Sequence, residues 1–285
     1  MEIIRLGKLI TRCDQDGAIF GQELFRFNSK GDGALFDLTE IGEETLPVAT
    51  FRFCDEDRIF PHANSVSFGT EYYEEGDAYP LLYANVYNNY ANAEDKRLGM
   101  TCVYRILREG TEIQTVLVQV IEVGFCEDTA LWRATPEAHG PRPYGNFLVD
   151  REKGDFWAYV MRNEEGGTRY FRFPLPPCRA GEWDEALGAY HFVLTADDIR
   201  EEFTMPYYRY IQGGAIRGGF LYSAEGFTND EVNRPVIRAV DLAARQETVL
   251  DLLPLGYTTE PEMIDFLGDT CYYSDAKGNF YELKL

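Results

Sequence analysis

The last 26 residues, EPEMIDFLGDTCYYSDAKGNFYELKL, paraphrase residues 16–40, DGAIFGQELFRFNSKGDGALFDLTE. GAIF aligns with MIDF, ELFRF with TCYYS, NSKGDG with DAKG and ALFDLTE with NFYELKL. A tail that repeats the head marks a chain built from one supersecondary unit, and such units cannot bury their apolar faces alone. The unit occurs five times. The first is DGAIFGQ, ELFRF, GALFDLTE and LPVATFRF; the second is HANSVSFG, PLLYANVY, MTCVYRIL and EIQTVLVQVIEV. The third is YGNFLVD, DFWAYVM, TRYFRFPL and AYHFVLTA; the fourth is QGGAIRGG, FLYSAEGF, PVIRAVDL and ETVLDLLPL. The fifth, EPEMIDFLG, TCYYSDAKG and NFYELKL, stops one strand short.

Alternation of period two in CVYRIL, RYFRFPL and VIRAVDL reads as half-buried strand, and NSKGDG, NEEGG and DAKGN read as turns. An aromatic fraction of 14%, mostly 19 Tyr and 19 Phe, favours strands as well. Four-stranded units of this kind stack radially, so the expected fold is all-β, a five-bladed β-propeller. The missing outer strand of the fifth blade is expected from the N-terminal IIRLGKLITR, which closes the ring by pairing head with tail and removes an open edge. At about 57 residues per repeat the units exceed the ~40–50 usual for propellers, and the excess falls in polar insertions such as YNNYANAEDKRLG and AEGFTNDEVNR. A sixth blade hidden in 120–143 would be short. TADDIREEF carries a capping pattern, Thr195 with Asp198, and reads as a turn or two within a surface connection. With no composition shift to mark a linker, residues 1–285 read as one domain.

Composition excludes some functions. A net charge of −21 repels phosphate backbones, which argues against a nucleic-acid partner. No stretch approaches the ~20 apolar residues of a membrane span and the start lacks a signal-peptide core, so a soluble, cytoplasmic protein with no membrane partner is expected. Six cysteines stand singly without a C-x-x-C pair, as in a reduced chain. Three histidines lack H-E-x-x-H spacing, no G-x-S-x-G frames a serine, and GGAIRGG lacks the ending of a phosphate loop.

Propeller geometry brings the residues just before each innermost strand to one end of the central channel. Those prefaces hold Asp14, Gln15 and Asp16; His62 and Asn64; Tyr144 and Gly145; Gln212 and Gly213; and Glu260 and Glu262. We read this ring of carboxylates, carboxamides, an imidazole and a phenol as a candidate site. Asp16 and Glu262 are the candidate catalytic pair, and His62, Asn64, Tyr144, Gln212, Glu260 and Asp14 are candidate ligand-binding residues. The loop 127–143 is long enough to lean over the mouth, which would place Trp132, Arg133, His139 and Arg142 near the ligand. Trp183 is a further rim candidate, whereas Trp157 on a second strand reads as packing between blades. DQDG at 14–17 is a turn more than a calcium loop, and CDEDR at 54–58 a solvated loop.

The blade pattern, clearest in GDTCYYSDAKGNFYELKL and GGFLYSAEG…PVIRAVDL, resembles the bacterial β-propeller superfamily over nearly the whole chain. The five-bladed glycosidases of the arabinanase type are similar in blade number. That resemblance implies channel-mouth carboxylates as working groups; Asp16 and Glu262 stand at comparable places, with no local motif shared. The gluconolactonase-type propellers are similar in setting Glu and Asn around calcium, but they have six blades and place that Glu in the first, whereas EPE here belongs to the last.

Three functions follow as expectations. Oxygen-rich prefaces suit sugar hydroxyls, so non-catalytic binding of a small polar ligand, a saccharide, ranks first. A glycan-active enzyme would use Glu262 and Asp16 as acid and base if they stand about 5–9.5 Å apart. A calcium-dependent hydrolase or lactonase would use Glu262, Asn64 and Asp16 as ligands, with metal-polarised water. A protein partner on the outer loops is the remaining expectation.

Overall fold

The structure, a computed structural model, describes residues 2–53, 59, 61–86, 99–123, 146–163, 166–208, 210–227 and 232–285, the side chains of 161–163 aside. Its strands form five sheets. Blade 1 is β2 (Gly17–Phe20), β3 (Glu23–Phe27), β4 (Asp32–Asp37) and β5 (Ala49–Arg52). Blade 2 begins with β6 (Val66–Phe68), β7 (Leu82–Val86), β8 (Met100–Glu109) and β9 (Glu112–Val123). Blade 3 is β10 (Asn146–Asp150), β11 (Asp155–Asn163), β12 (Gly167–Pro174) and β15 (Glu201–Met205). Blade 4 is β16 (Ile211–Arg217), β17 (Phe220–Glu225), β18 (Val236–Asp241) and β19 (Gln246–Asp251). Blade 5 takes β20 (Pro261–Leu267), β21 (Thr270–Asp275) and β22 (Asn279–Lys284), then β1 (Glu2–Lys8) as its outermost strand.

The expected closure is therefore present. β1 runs antiparallel to β22, from Glu2 opposite Lys284 to Lys8 opposite Asn279, with a bulge between Arg5 and Gly7. Beyond β1 the chain is laced to blade 1: Lys8 N donates to Gly42 O at 3.0 Å and Ile10 N to Thr45 O at 2.8 Å. The inner strands touch in the cyclic order β2, β6, β10, β16, β20, and β16 also meets β6 across the axis, so the channel is narrow.

Packing explains why the aromatic load is high. Among the described residues one apolar cluster lies between each neighbouring pair of blades. Phe25, Phe27 and Phe68 join blades 1 and 2, and Phe147, Phe156 and Val103 join 2 and 3. Trp157 packs with Tyr170 and Ile216 between 3 and 4, as its second-strand position implied. Ile237 meets Tyr273 between 4 and 5, and Phe36 meets Met263 and Phe280 between 5 and 1. Flat rings fill the wedge between twisted sheets in edge-on and offset contacts, such as Phe25–Tyr79 at 5.2 Å and Phe147–Phe156 at 5.4 Å. The inner hairpin of blade 4 turns on Gly218 and Gly219, both at positive φ, as a two-residue turn matched to strand twist requires.

One strand assignment is corrected. AYHFVL does not close blade 3; it forms β14 (Ala189–Leu194), which pairs in parallel with β9 of blade 2. With β13 (Glu182–Asp184) it makes a hairpin that extends blade 2 to six strands. The twelve-residue β9 would otherwise present a long open edge. Buried Gln119 on β9 fixes the approach, donating to Pro177 O at 2.8 Å and Ala180 O at 3.0 Å. The outer strand of blade 3 is instead β15, which begins within the stretch that carried the capping pattern and runs on to Met205. Thr195 and Asp198 hold only a single 3-10 turn, with Asp198 Oδ2 accepting from Thr195 N at 2.7 Å.

Cys13, Cys102, Cys178 and Cys271 are buried; Cys54 and Cys126 lie outside the described residues. No helix among the described residues is long and apolar enough to cross a membrane. Segments 54–58 and 124–145, which include CDEDR, Trp132, Arg133, His139, Arg142 and Tyr144, also lie outside the described residues.

Candidate functional site

The strand starts that the repeats bring to one end of the ring share a local device. On β20 the pairing skips from Pro261–Asp275 to Met263–Ser274, leaving Glu262 as an extra residue; on β16 it skips from Ile211–Glu225 to Gly213–Ala224, leaving Gln212. Blade 1 does the same. Gln15 N donates to Phe27 O and Phe27 N donates to Asp16 O, so two residues stand opposite one. A bulge re-aims the side chain of its extra residue, and here it does so at equivalent places in three blades.

Asp16 lies among three blades. Its Oδ2 accepts from Val66 N of blade 2 at 2.8 Å, its own N–H donates to Ala63 O at 3.1 Å, and its Oδ1 lies against Gly213 of blade 4. A Cβ on Gly213 would come to 2.7 Å from Asp16 Oδ1 and 2.4 Å from Glu262 O, so glycine is what lets the two acids approach blade 4. Asp16 and Glu262 are each 1% exposed. Burial pushes both carboxyls well above the usual range. For Asp16 the hydrogen bond from Val66 opposes it; for Glu262 nearby Glu260 adds to it. Outward of this pair stand half-buried Glu260 and exposed Asp14. Glu260 is pushed up to about 7, by burial first and by Asp14 second. Gln212 Nε2 donates to Glu260 Oε1 at 2.5 Å and joins blades 4 and 5.

Asn64 is buried and is used differently. Asn85 of β7 donates from Nδ2 to Asn64 Oδ1 at 2.7 Å and to Asn146 Oδ1 at 2.9 Å, tying blade 2 to blade 3, while its Oδ1 accepts from Ser65 N at 3.0 Å. Half-buried His62 donates its backbone N–H to Asn85 O, and burial lowers its ring to about 4, so the imidazole is neutral near pH 7. The structure thus gathers Asp14, Asp16, Gln212, Glu260 and Glu262 at one end of the channel, with Asn64 fixed in a carboxamide cluster beside them. Trp183 is placed elsewhere: it lies on β13, at the outer edge of blade 2. Among the described residues no three His, Cys, Asp or Glu side chains come together in a way that would hold a metal ion.

Three residues of this region escape a reading of prefaces. Asn85 and Asn146 interrupt apolar runs, YANVY and GNFLV, and that interruption was the available signal. Arg26 of β3 is the third. It pairs across from Gly17, is wholly buried, and none of its three guanidinium nitrogens has an acceptor on the protein. Burial lowers its pKa, and Glu262 then Asp16 are the anions that most oppose this. Asp16 Oδ1 and Glu262 Oε2 are likewise buried without a donor. The signal was a single charge at an inward position of ELFRF.

The opposite end of the channel is built as a clamp. Asp265 of β20 accepts from Ile19 N at 2.7 Å and from Arg151 at 2.5 Å, while Arg151 donates to Ile19 O at 3.0 Å. That joins blades 5, 1 and 3. A cavity of about 220 Å³ opens there, lined by Phe20, Arg151, Arg217 and Phe266 among others.

No protein-family model matches the chain. No curated protein matches it either. Among solved structures it is similar to BamB from Moraxella catarrhalis, at 10% identity and a TM-score of 0.35, covering 94% of this chain. It spans about 60% of the length of that protein. A likeness at that level says nothing of function.

Proposed function

We propose that the protein binds a small polar molecule, a saccharide, at the channel end where the inner strands start, and leaves it chemically unchanged. The observation that carries this reading is the set of polar atoms left over after the blades have been tied together. Every oxygen and nitrogen of Asn85 has a partner, whereas Asp16 Oδ1, Glu262 Oε2 and the Arg26 guanidinium do not. Buried polar groups are costly without partners, and acceptors beside donors are what a polyhydroxyl ligand satisfies. Gln212, Glu260 and Asp14 supply further polar groups on the solvent side. Catalysis receives less support, because Asp16 Oδ2 is already committed to Val66 N.

The test is thermal unfolding of the wild-type protein and of Glu262→Gln against a saccharide panel, with calcium and chelator as a parallel arm. A ligand at about 100 times its Kd adds ~2.7 kcal/mol, which raises the midpoint by several degrees. We expect such a rise with at least one sugar and a weaker one in Glu262→Gln. Product formation abolished by Glu262→Gln would move the reading to the glycan-active enzyme. A calcium-dependent rise would move it to the lactonase class. No response in either protein sinks the channel reading.

A further inference from the structure

The ring contains a second well-buried arginine that shows what a satisfied one looks like. Arg238 of blade 4 donates from Nε and Nη2 to the two oxygens of Glu225 at 2.9–3.1 Å, pairs through Nη1 with Glu247 at 2.9 Å, and stacks on Tyr208. Arg26 has none of this. Its side chain passes over Gly17, where a Cβ would come to 2.8 Å from Arg26 Cδ and 3.3 Å from Met263 Sδ, and the acids that act on it are Glu262 and Asp275 of blade 5 and Asp16 of blade 1. The acids around it do not serve it. Asp275 spends Oδ1 on Lys277 N and Asn279 N and Oδ2 on Asn279 Nδ2. Asp16 and Glu262 influence it most, yet neither is within hydrogen-bonding distance.

We infer that the channel ligand is a hydroxy-carboxylate, an acidic sugar or sugar acid, whose carboxylate is taken by Arg26 while its hydroxyls meet Asp16 Oδ1 and Glu262 Oε2. This rests on the channel reading above and narrows it. A planar guanidinium presents a fork of N–H groups that matches a carboxylate with two parallel bonds. A neutral sugar would meet the two acids with its hydroxyls but bring no carboxylate to the buried guanidinium, whose three nitrogens lack an acceptor. Burial raises the pKa of Asp16 and Glu262, and Arg26 opposes that rise in both.

The experiment is calorimetric titration of the wild-type protein with galacturonate, glucuronate and gluconate, each against its neutral counterpart, galactose or glucose. We expect at least one acid to bind roughly ten-fold or more tightly than its neutral partner, as a charge-assisted bidentate pair supplies. In Arg26→Gln that preference should disappear. The wild-type comparison stands whether or not the variant folds. Neutral sugars binding as well as the acids would overturn the hydroxy-carboxylate while leaving the channel reading intact. A preference that survives in folded Arg26→Gln would overturn it too, because the anion would be held elsewhere. If neither class binds, and Glu262→Gln is silent in the saccharide panel, both readings fall.

Discussion

Gly17 and Arg26 face each other across β2 and β3, and the arginine's stem occupies the space that a Cβ on Gly17 would need. A Cβ at Gly17 would also come to 2.3 Å from Phe25 O, which is backbone and does not yield easily. Gly17→Ala should therefore cost about 1–3 kcal/mol, the usual range for overpacking, and should displace Arg26. Urea unfolding gives the first, and loss of ligand response at retained fold gives the second. An unchanged midpoint would mean that the strand pair relaxes freely there.

The ionisation of Glu260 makes stability depend on pH. Its folded-state value of about 7 lies above the ordinary 4.5, so between those values the folded protein holds a proton that the unfolded chain has released. Stability from this group is full below about 4.5 and is lost as pH rises through about 7. His62 acts in the opposite sense. Its folded value of about 4 lies below 6.5, so the unfolded chain takes up the proton first and stability falls as pH drops from 6.5 toward 4. Glu260→Gln can still accept from Gln212 and carries no charge. Its melting temperature relative to wild type should climb between about pH 5 and pH 8. A constant difference across that range would show that Glu260 titrates normally.

Removing residues 2–8 should open the ring. That strand supplies the outer ladder of blade 5 along its length, and each net hydrogen bond is worth about 1 kcal/mol. A loss of roughly 3 kcal/mol or more is expected, together with self-association through the exposed β22 edge. Differential scanning calorimetry and sedimentation measure the two effects. A monomeric truncation with an unchanged melting temperature would show that closure contributes little.

Asp265→Ala should be among the most damaging single changes at the far end of the channel. It strips the buried Ile19 N–H and Arg151 of their shared acceptor at once. Breaking such a pair from the buried side costs about 3–5 kcal/mol. Arg151→Ala should cost less, since that side chain is 27% exposed against 7% for Asp265. The order of the two urea midpoints decides it, and a reversed order would contradict the clamp.

How far the site was legible follows from which residues could be aligned. Asp16, Gln212 and Glu262 fall at corresponding places in the repeats, and the structure makes all three bulge residues. Their convergence could be expected because ring geometry depends only on the repeat. Their roles could not. Asn64 looked like a ligand group and is taken up by Asn85, a residue in the middle of an apolar second strand. Arg26 looked like one charge in an alternating strand; only the structure shows it buried over Gly17 with no acceptor.

The sequence by itself determined the strand-rich repeat, the count of five and the closure by the N-terminal strand, because period-two burial, turn residues and a missing fourth strand are local facts. The tertiary structure decided where β14 pairs, since the open edge of β9 is created only after blade 2 has folded. It also decided which polar groups are consumed as ties between blades and which keep unpartnered atoms. That division depends on distances of a few ångströms between residues as far apart as Asp16 and Gly213, and no spacing along the chain encodes them.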